Sequence, residues 1–250
     1  MPSLRKYQLS VSTDRRPQTS RTNVWRIPSE RSSLEWLDCD REFVSRRYDR
    51  IAGLITLFEW LLFLPRGLRK QAVAHIGLKP GDRVLEVGCG TGRNLALLQD
   101  CVGPTGRVYG VDISQGMLAR ACRLCEQERW ANVTLTVGDA LEYVPEEPFD
   151  GALFSLSYNT MPHHHAVLTH VLAQLRPGAR LVIMDAKVPA GIFGNLILPF
   201  AVWLNHLTVL GNPYIHPWRQ LAPLVDNFAM EERLFGAYYI CWGRKRAKDR

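Results

Sequence analysis

The sequence predicts an α/β fold in which a mostly parallel sheet carries helices on both faces. Residues 83–98 pass from a short apolar run, through three glycines at alternate positions, into a helical pattern. Further short apolar runs follow at 108–112, 132–140, 149–157 and 175–185. With 250 residues and 46% hydrophobic content, the chain is long enough to bury the sizeable core that such a sheet requires.

The glycine-rich turn predicts a nucleoside-binding site. Gly88, Gly90 and Gly92 lack Cβ atoms, so the backbone can turn sharply and approach a ligand beside the free N–H groups of a helix N-terminus. A dinucleotide fingerprint would need a glycine where the chain has Arg93, and no Lys-Ser or Lys-Thr pair of a phosphate loop follows. Glu86 precedes the turn, and its charge suits a cationic or hydroxyl-rich ligand better than a pyrophosphate.

Later segments continue the pattern in order. Asp112 ends the second predicted strand about twenty residues past the turn, the interval expected of an acid that binds ribose hydroxyls. With the Glu-x-Gly-x-Gly-x-Gly motif, these features resemble the class I S-adenosylmethionine-dependent methyltransferases over roughly residues 80–187. The other matching segments are the Gly138-Asp139-Ala140 end of the third strand, the fourth strand at 149–157, and the Pro-Gly turn and fifth strand at 175–185.

The resemblance implies a Rossmann-like, doubly wound sheet of seven strands that ends in an antiparallel hairpin, with a helical cap beside it. We place the hairpin at 230–235 and 237–243, followed by a solvated basic tail from Arg244. It also implies S-adenosylmethionine as cofactor and direct methyl transfer, which needs no metal ion or covalent intermediate. The cofactor contacts implied are Glu86, Gly88, Gly90, Gly92, Asp112, Ile113, Met117, Asp139, Ala140 and Ser155.

Composition and motifs divide the chain into five segments. Residues 1–33 are rich in Arg, Ser and Thr and predict a basic, flexible tail without the apolar core of a signal peptide. We expect a helical lid at 34–76, a cofactor-binding core at 77–187, a helical cap and acceptor region at 188–226, and the terminal hairpin and basic tail at 227–250. The six cysteines are scattered, which indicates a reduced, cytoplasmic location.

Three residues are candidates for catalysis on the acceptor. Tyr158 lies in the loop after the fourth strand, and such loops line the ligand crevice of open α/β sheets. Tyr48 begins the segment 48–52, which resembles the lid of the quinone-biosynthesis and phospholipid N-methyltransferase branches. His216 lies in a loop near the same mouth. A tyrosine or a bound water can relay the proton of an acceptor amine whose pKa is lowered by apolar walls.

Charge and apolar segments favour a lipid acceptor. The net charge of +7 and the pI near 9.3 favour anionic partners. Residues 57–70 are apolar and then basic, whereas residues 192–210 approach membrane-spanning length but are interrupted by polar residues and Pro199. The chain also resembles the small bacterial phospholipid N-methyltransferases. We therefore expect transfer to a phosphatidylethanolamine-like amine, with peripheral contact to an anionic membrane; the alternative acceptor is a lipid quinone or a soluble small molecule.

A further class is a non-catalytic protein that binds S-adenosylmethionine or nucleic acid. Residues 155–158 stand where base N-methyltransferases carry Asn/Asp-Pro-Pro-Tyr, and no basic stripe is interleaved with aromatics, so no nucleic-acid partner is expected. No metal site is expected either. The consecutive histidines 163–165 point in different directions, and Cys122 and Cys125 lack a second cysteine pair.

Overall fold

The computed structural model describes residues 45, 46, 48, 64, 65, 67–161, 163–189 and 215–247. Its strands form a seven-stranded sheet in the order β3-β2-β1-β4-β5-β7-β6. The strands are β1 (Arg83–Val87), β2 (Arg107–Asp112), β3 (Val133–Val137), β4 (Phe149–Ser155), β5 (Leu175–Ala186), β6 (Val225–Arg233) and β7 (Tyr238–Lys245). The helices are α1 (Leu68–Ile76), α2 (Leu95–Val102), α3 (Gln115–Gln127), α4 (His164–Ala173) and α5 (Pro217–Leu221).

The sheet is parallel except at its carboxy-terminal end. β2 and β3 extend it on one side of β1, and β4 and β5 extend it on the other. β7 pairs antiparallel with both β5 and β6. The predicted Rossmann-like fold is confirmed. The strand order reverses between β1 and β4, and in open α/β sheets such a switch point forms the ligand crevice at the carboxyl ends of the strands.

Two hydrophobic cores lie on opposite faces of the sheet. On one face, the first three helices pack through residues such as Leu68, Leu95 and Leu118. On the other face, α4 packs through residues such as Leu168 against the side chain of Phe154. Helices therefore cover both faces, as a parallel sheet requires when its strands are buried on both sides.

The terminal hairpin begins earlier and ends later than the sequence predicts. β6 starts at Val225 and β7 runs to Lys245, whose Cα pairs with Val225. Arg244 and Lys245, which the sequence analysis assigns to a solvated tail, therefore belong to β7; Arg244 is exposed there, whereas Lys245 is half-buried. The ammonium of Lys245 donates hydrogen bonds to the carbonyls of Ala173 at 2.8 Å and Leu175 at 2.6 Å.

Several predicted features lie outside the described residues. These include the tail at 1–33, most of the lid, and the apolar segment at 192–210. Within the portions of the chain that the structure describes, no helix combines the length and hydropathy needed to cross a bilayer.

Candidate active site

The glycine turn after β1 depends on the missing side chains of two of its residues. Gly88 and Gly90 have φ angles of 68° and 55°, in the left-handed region that favours glycine. A Cβ atom on Gly88 would lie 2.5 Å from the Cβ of Ser157 and 2.9 Å from the Cε of Met161. A Cβ atom on Gly90 would meet no atom within 4 Å. The turn is therefore closely packed at Gly88 and leaves open space at Gly90.

Asp112 is held against this turn by two backbone N–H groups. Its Oδ2 accepts a hydrogen bond from Gly90 at 2.7 Å, and its Oδ1 accepts one from Ser114 at 2.9 Å. The Ser114 hydroxyl caps α3 by accepting from the N–H of Met117 at 3.1 Å. The side chain of Met117 is buried in the core. A carboxylate oxygen accepts more than one hydrogen bond, so Asp112 retains acceptor capacity for ribose hydroxyls.

Three further predicted cofactor residues, Ile113, Asp139 and Ala140, lie next to Asp112 or in the segment bonded to it. The carbonyl of Ile113 accepts a hydrogen bond from the hydroxyl of Ser45, a residue of the predicted lid, at 3.2 Å. On the other side, the N–H of Gly138 donates to the Asp112 carbonyl at 3.0 Å, which brings the segment that continues to Asp139 and Ala140 alongside. Asp139 orders this segment by accepting from the N–H of Leu141 at 2.8 Å.

Glu86 is a buried carboxyl beside the turn. Its Oε1 accepts from the side-chain amide of Asn94 at 2.5 Å, whereas its Oε2 is buried without a hydrogen-bond partner among the described residues. Burial raises the pKa of Glu86 to about 7, a shift that Asn94 and Arg69 oppose and Asp112 reinforces. Arg69 from α1 donates to the Asn94 side-chain oxygen at 3.2 Å and to the Ser155 hydroxyl at 3.0 Å.

These groups fit S-adenosylmethionine. The unpartnered oxygen of Glu86 provides a negative site for a cation, and Asp112 provides acceptors for the hydroxyls of a ribose. Open space lies above Gly90, and a Cβ atom on Gly138 would also meet nothing within 4 Å. Glu86 and Asp112 would hold opposite ends of the ligand, with its nucleoside running along the carboxyl ends of β2 and β3.

A cysteine lies within the turn itself. Cys89 is buried, and burial raises its pKa well above the ordinary thiol value, with the negative charges of Asp112 and Glu86 adding to the shift. Cys122 and Cys125 lie in α3, and burial raises both of their pKa values as well. In the described ranges, no group of three or more His, Cys, Asp or Glu side chains is arranged to hold a metal ion.

The predicted acceptor residues fall in different surroundings. Tyr158 is fully buried, and its hydroxyl donates to the side-chain oxygen of Gln220 at 2.5 Å. Burial raises its pKa well above the ordinary phenol value. The imidazole of His216 stacks on Trp218 with ring centroids 4.8 Å apart, and its Nδ1 is buried without a hydrogen-bond partner among the described residues. Tyr48 is helical and half-buried.

A polar group that sequence reasoning missed lies at the end of β5. Asp185 is buried, and its two oxygens accept the N–H groups of Asn159 at 3.1 Å and Ala186 at 2.8 Å. Burial raises the pKa of Asp185 to about 7. Its Cα partner across the sheet is Tyr239. The acidic end of an otherwise apolar strand was the available signal for Asp185, whereas Tyr239 depends on a register that the local sequence does not reveal.

Two buried polar atoms beside Asp185 lack a well-formed hydrogen bond within the described part of the chain. They are the side-chain oxygen of Asn159 and the hydroxyl of Tyr239. Burial raises the pKa of Tyr239 well above its ordinary value and the charge of Asp185 adds to that shift, whereas a hydrogen bond with the side chain of Asn159 opposes it. The Tyr239 hydroxyl and the Asn159 side chain are therefore neighbours, and together with Asp185 they form a buried polar cluster at the end of β5.

Residues 78–208 match a family described as a methyltransferase domain. A demethylmenaquinone methyltransferase from Symbiobacterium thermophilum is 27% identical over 202 residues, which cover 76% of this chain and 78% of that relative. A demethylmenaquinone methyltransferase from Staphylococcus aureus strain JH9 is 31% identical over 150 residues, which cover 58% of each chain.

Solved structures share the fold at lower identity. The phosphoethanolamine N-methyltransferase 2 of Haemonchus contortus, in complex with phosphomonomethylethanolamine and S-adenosylhomocysteine, aligns with a TM-score of 0.66 at 17% identity. That alignment covers 84% of this chain and 61% of the other. A chain from the complex between the Haloferax volcanii Trm112 methyltransferase activator and a methyltransferase also gives a TM-score of 0.66, at 16% identity, covering 83% of this chain and 99% of the other.

Replacing Asp112 with Ala should weaken S-adenosylmethionine binding by about tenfold or more, because the ribose loses its acceptors and Gly90 loses the bond that orients it. Isothermal titration calorimetry measures the affinity. Asp100→Ala serves as the control, since it removes an acid from α2 outside the turn. Equal affinities for wild type and Asp112→Ala would refute the ribose role.

The affinity for S-adenosylmethionine should rise as pH increases through about 7, because Glu86 must ionise to attract a cation and its pKa is about 7. Between about pH 6 and about pH 8 the ionised fraction, and with it the affinity, grows about tenfold. Glu86→Gln keeps an acceptor for Asn94 but removes the titration. The ratio of wild-type to variant affinity at each pH cancels any titration of the ligand, and a ratio that stays constant would contradict the prediction.

Proposed function

The chain belongs to the methyltransferase-domain family and is an S-adenosylmethionine-dependent methyltransferase; from that premise we propose that its acceptor is a quinone-type aromatic compound, methylated in the reduced, hydroquinone form. A hydroquinone ring is electron-rich and can attack an electrophilic methyl group, whereas the oxidised quinone ring is electron-poor. The relatives that support this acceptor are demethylmenaquinone methyltransferases, one of which aligns over 76% of this chain.

The observation that carries the proposal is the buried polar group at the end of β5. Asp185 has a pKa near 7, so it exchanges a proton readily at neutral pH. The Tyr239 hydroxyl and the Asn159 side chain, which lie next to each other beside Asp185, offer donors and acceptors for the hydroxyl groups of a hydroquinone. This donor and acceptor set suits a phenolic ligand.

The group is physically connected to the cofactor side. The Ser157 hydroxyl donates to the Val87 carbonyl at 2.7 Å, directly before the glycine turn. Two residues later, the N–H of Asn159 donates to Asp185. The segment after β4 therefore spans from the turn to the carboxyl group, and a ligand beside Asn159 lies at the same edge of the sheet as the turn.

S-adenosylmethionine would supply a sulfonium-activated methyl group. Asp185, when ionised, first accepts the phenolic proton, and the resulting phenolate increases the electron density of the ring. The bond from the ring carbon to the methyl group forms as the methyl–sulfur bond breaks and S-adenosylhomocysteine leaves; the ring carbon then loses its proton to water, and Asp185 returns the phenolic proton to the oxygen. Asn159 and Tyr239 orient the oxygen. Holding the two reactants together contributes roughly 7 to 11 kcal/mol in favourable cases.

A phospholipid amine, which the sequence analysis favours, is the second candidate. The segments that motivate it, at 57–63 and 192–210, lie outside the described residues. The named relatives support a quinone instead. An amine must also lose a proton, so Asp185 would serve either acceptor, and only a direct assay separates them. Peripheral membrane contact remains a prediction for either lipid acceptor.

The test is transfer of radiolabelled methyl from S-adenosylmethionine to chemically reduced demethylmenaquinone, with phosphatidylethanolamine, oxidised demethylmenaquinone and no acceptor in parallel. We expect label in the methylated quinone and only in the reduced arm, because only the reduced ring is nucleophilic. Label in phosphatidylethanolamine alone would establish the amine acceptor and refute the quinone. Calorimetry on the same preparation checks that the protein binds S-adenosylmethionine.

Replacing Asp185 with Asn should lower kcat by about 10²–10⁴-fold while leaving cofactor affinity within about twofold, because the proton acceptor is lost and the glycine turn is not touched. The wild-type kcat should rise as pH increases through about 7, since Asp185 acts in its ionised form. The variant should lack that rise. Asp226→Asn is the matched control, because this acid is exposed and pairs with Arg246. Loss of cofactor binding together with kcat would indicate a purely structural role.

A further inference from the structure

A cavity of about 360 Å³ lies at the edge of the sheet opposite the cofactor site. It opens where β4 begins and β7 ends, and its wall includes Lys79, Asp150, Arg180 and Arg244. Small-molecule sites commonly have volumes of about 300–1,000 Å³, so this cavity admits a small ligand. None of the described residues assigned to the methyl-transfer site extends to this edge, which lies at the amino ends of the parallel strands.

The cavity wall contains two like charges in direct register. Arg180 of β5 and Arg244 of β7 are Cα partners in the antiparallel ladder. Like charges directly opposite each other on neighbouring strands destabilise a sheet. Each guanidinium makes a hydrogen bond to a carbonyl, Arg180 to His75 and Arg244 to Gly178, both at 3.1 Å. Neither forms an ion pair with an acid of the described chain, so carbonyl oxygens, and no carboxylate among the described residues, accept from the two guanidinium groups.

The neighbouring acid does not neutralise them. Asp150 already accepts a hydrogen bond from the guanidinium of Arg176 at 2.6 Å and one from the N–H of Arg83 at 2.9 Å. Lys79 adds a third positive charge, and its ammonium has no ion-pair partner within the described residues. Three cations without an ion-pair partner among the described residues therefore line the cavity. Asp150 is paired with a fourth cation, Arg176.

The local backbone holds the two arginines in place. The register between β4 and β5 shifts between Phe149 and Gly151, and Arg180 pairs with Gly151 just beyond this bulge. A Cβ atom at Gly77 would lie 3.1 Å from the Nη1 of Arg180, so the missing side chain lets the guanidinium approach the end of α1. Gly178 has a φ of 80° in the Pro-Gly turn, whose carbonyl binds Arg244. The charges are thus positioned by the fold.

We propose that this cavity binds a phosphate group. A phosphate offers several acceptor oxygens at the geometry that guanidinium groups match in pairs, and its charge relieves the repulsion between Arg180 and Arg244. The volume leaves room for an organic group attached to the phosphate. That ligand is either a soluble phosphate compound or the headgroup of an anionic phospholipid; both present the same chemistry to the three cations.

Calorimetric titration of the full chain with pyrophosphate, at constant ionic strength, tests the site. We expect binding that Arg180→Gln and Arg244→Gln each weaken by at least about tenfold, equivalent to about 1.4 kcal/mol. Arg107→Gln is the matched control, because Arg107 is an exposed cation at the start of β2 on the same edge but outside the cavity. It should bind pyrophosphate as wild type does. Absence of binding, or equal weakening by the control, would overturn the proposal.

Two further measurements separate the alternatives. Arg244→Gln should unfold at the same or a higher temperature than wild type without ligand, since it removes the like-charge contact. Pyrophosphate should raise the melting temperature of wild type and of Arg107→Gln by more than that of Arg244→Gln at the same concentration. In the lipid arm, the protein should co-sediment with phosphatidylglycerol vesicles but not with phosphatidylcholine vesicles, and pyrophosphate should displace it from the former. That result identifies a phospholipid headgroup as the ligand. Pyrophosphate binding without vesicle binding identifies a soluble ligand.

Discussion

The hydrogen bond from the Ser157 hydroxyl to the Val87 carbonyl joins the two halves of the sheet at its switch point. It seats the segment after β4 on the glycine turn, where a Cβ atom on Gly88 would lie 2.5 Å from the Ser157 Cβ. The turn can be this close only because Gly88 has no side chain. The position of Asn159, and through it the contact to Asp185, depends on that packing.

Two buried carboxyl groups lie at the carboxyl ends of the strands, Glu86 beside the glycine turn and Asp185 beside the predicted acceptor site. Burial raises the pKa of both Glu86 and Asp185 to about 7, yet their partners differ. Glu86 is bonded to the amide of Asn94, which Arg69 in turn holds from α1. Among the described residues, Asp185 is held by backbone N–H groups alone. A side-chain network therefore ties Glu86 to a helix outside the turn, while the strand ends fix Asp185.

The parts of the fold and site that could be predicted are those encoded by neighbouring residues. The glycine turn after β1 and the position of Asp112 at the end of β2 follow from local spacing, whereas the seven-stranded sheet with its terminal hairpin was predicted from the family resemblance that these motifs support. The burial of Tyr158 could not be predicted, because nothing in its loop distinguishes a core tyrosine from one that faces the ligand. Tyr239 comes beside Asp185 only through the antiparallel register of β5 and β7. The ends of that hairpin were misplaced for the same reason, since Val225 stabilises Lys245 across the ladder.

The thiol of Cys89 in the glycine turn would be open to methylation by the cofactor if it lost its proton. A sulfonium methyl group reacts with thiolates, and the turn that is predicted to bind the donor carries a sulfur atom within it. A thiol is a nucleophile only after it loses its proton. Because burial and the charges of Asp112 and Glu86 raise the pKa of Cys89, the sulfur stays protonated and inert. The same carboxylates that are predicted to hold the donor thus protect the enzyme from self-alkylation.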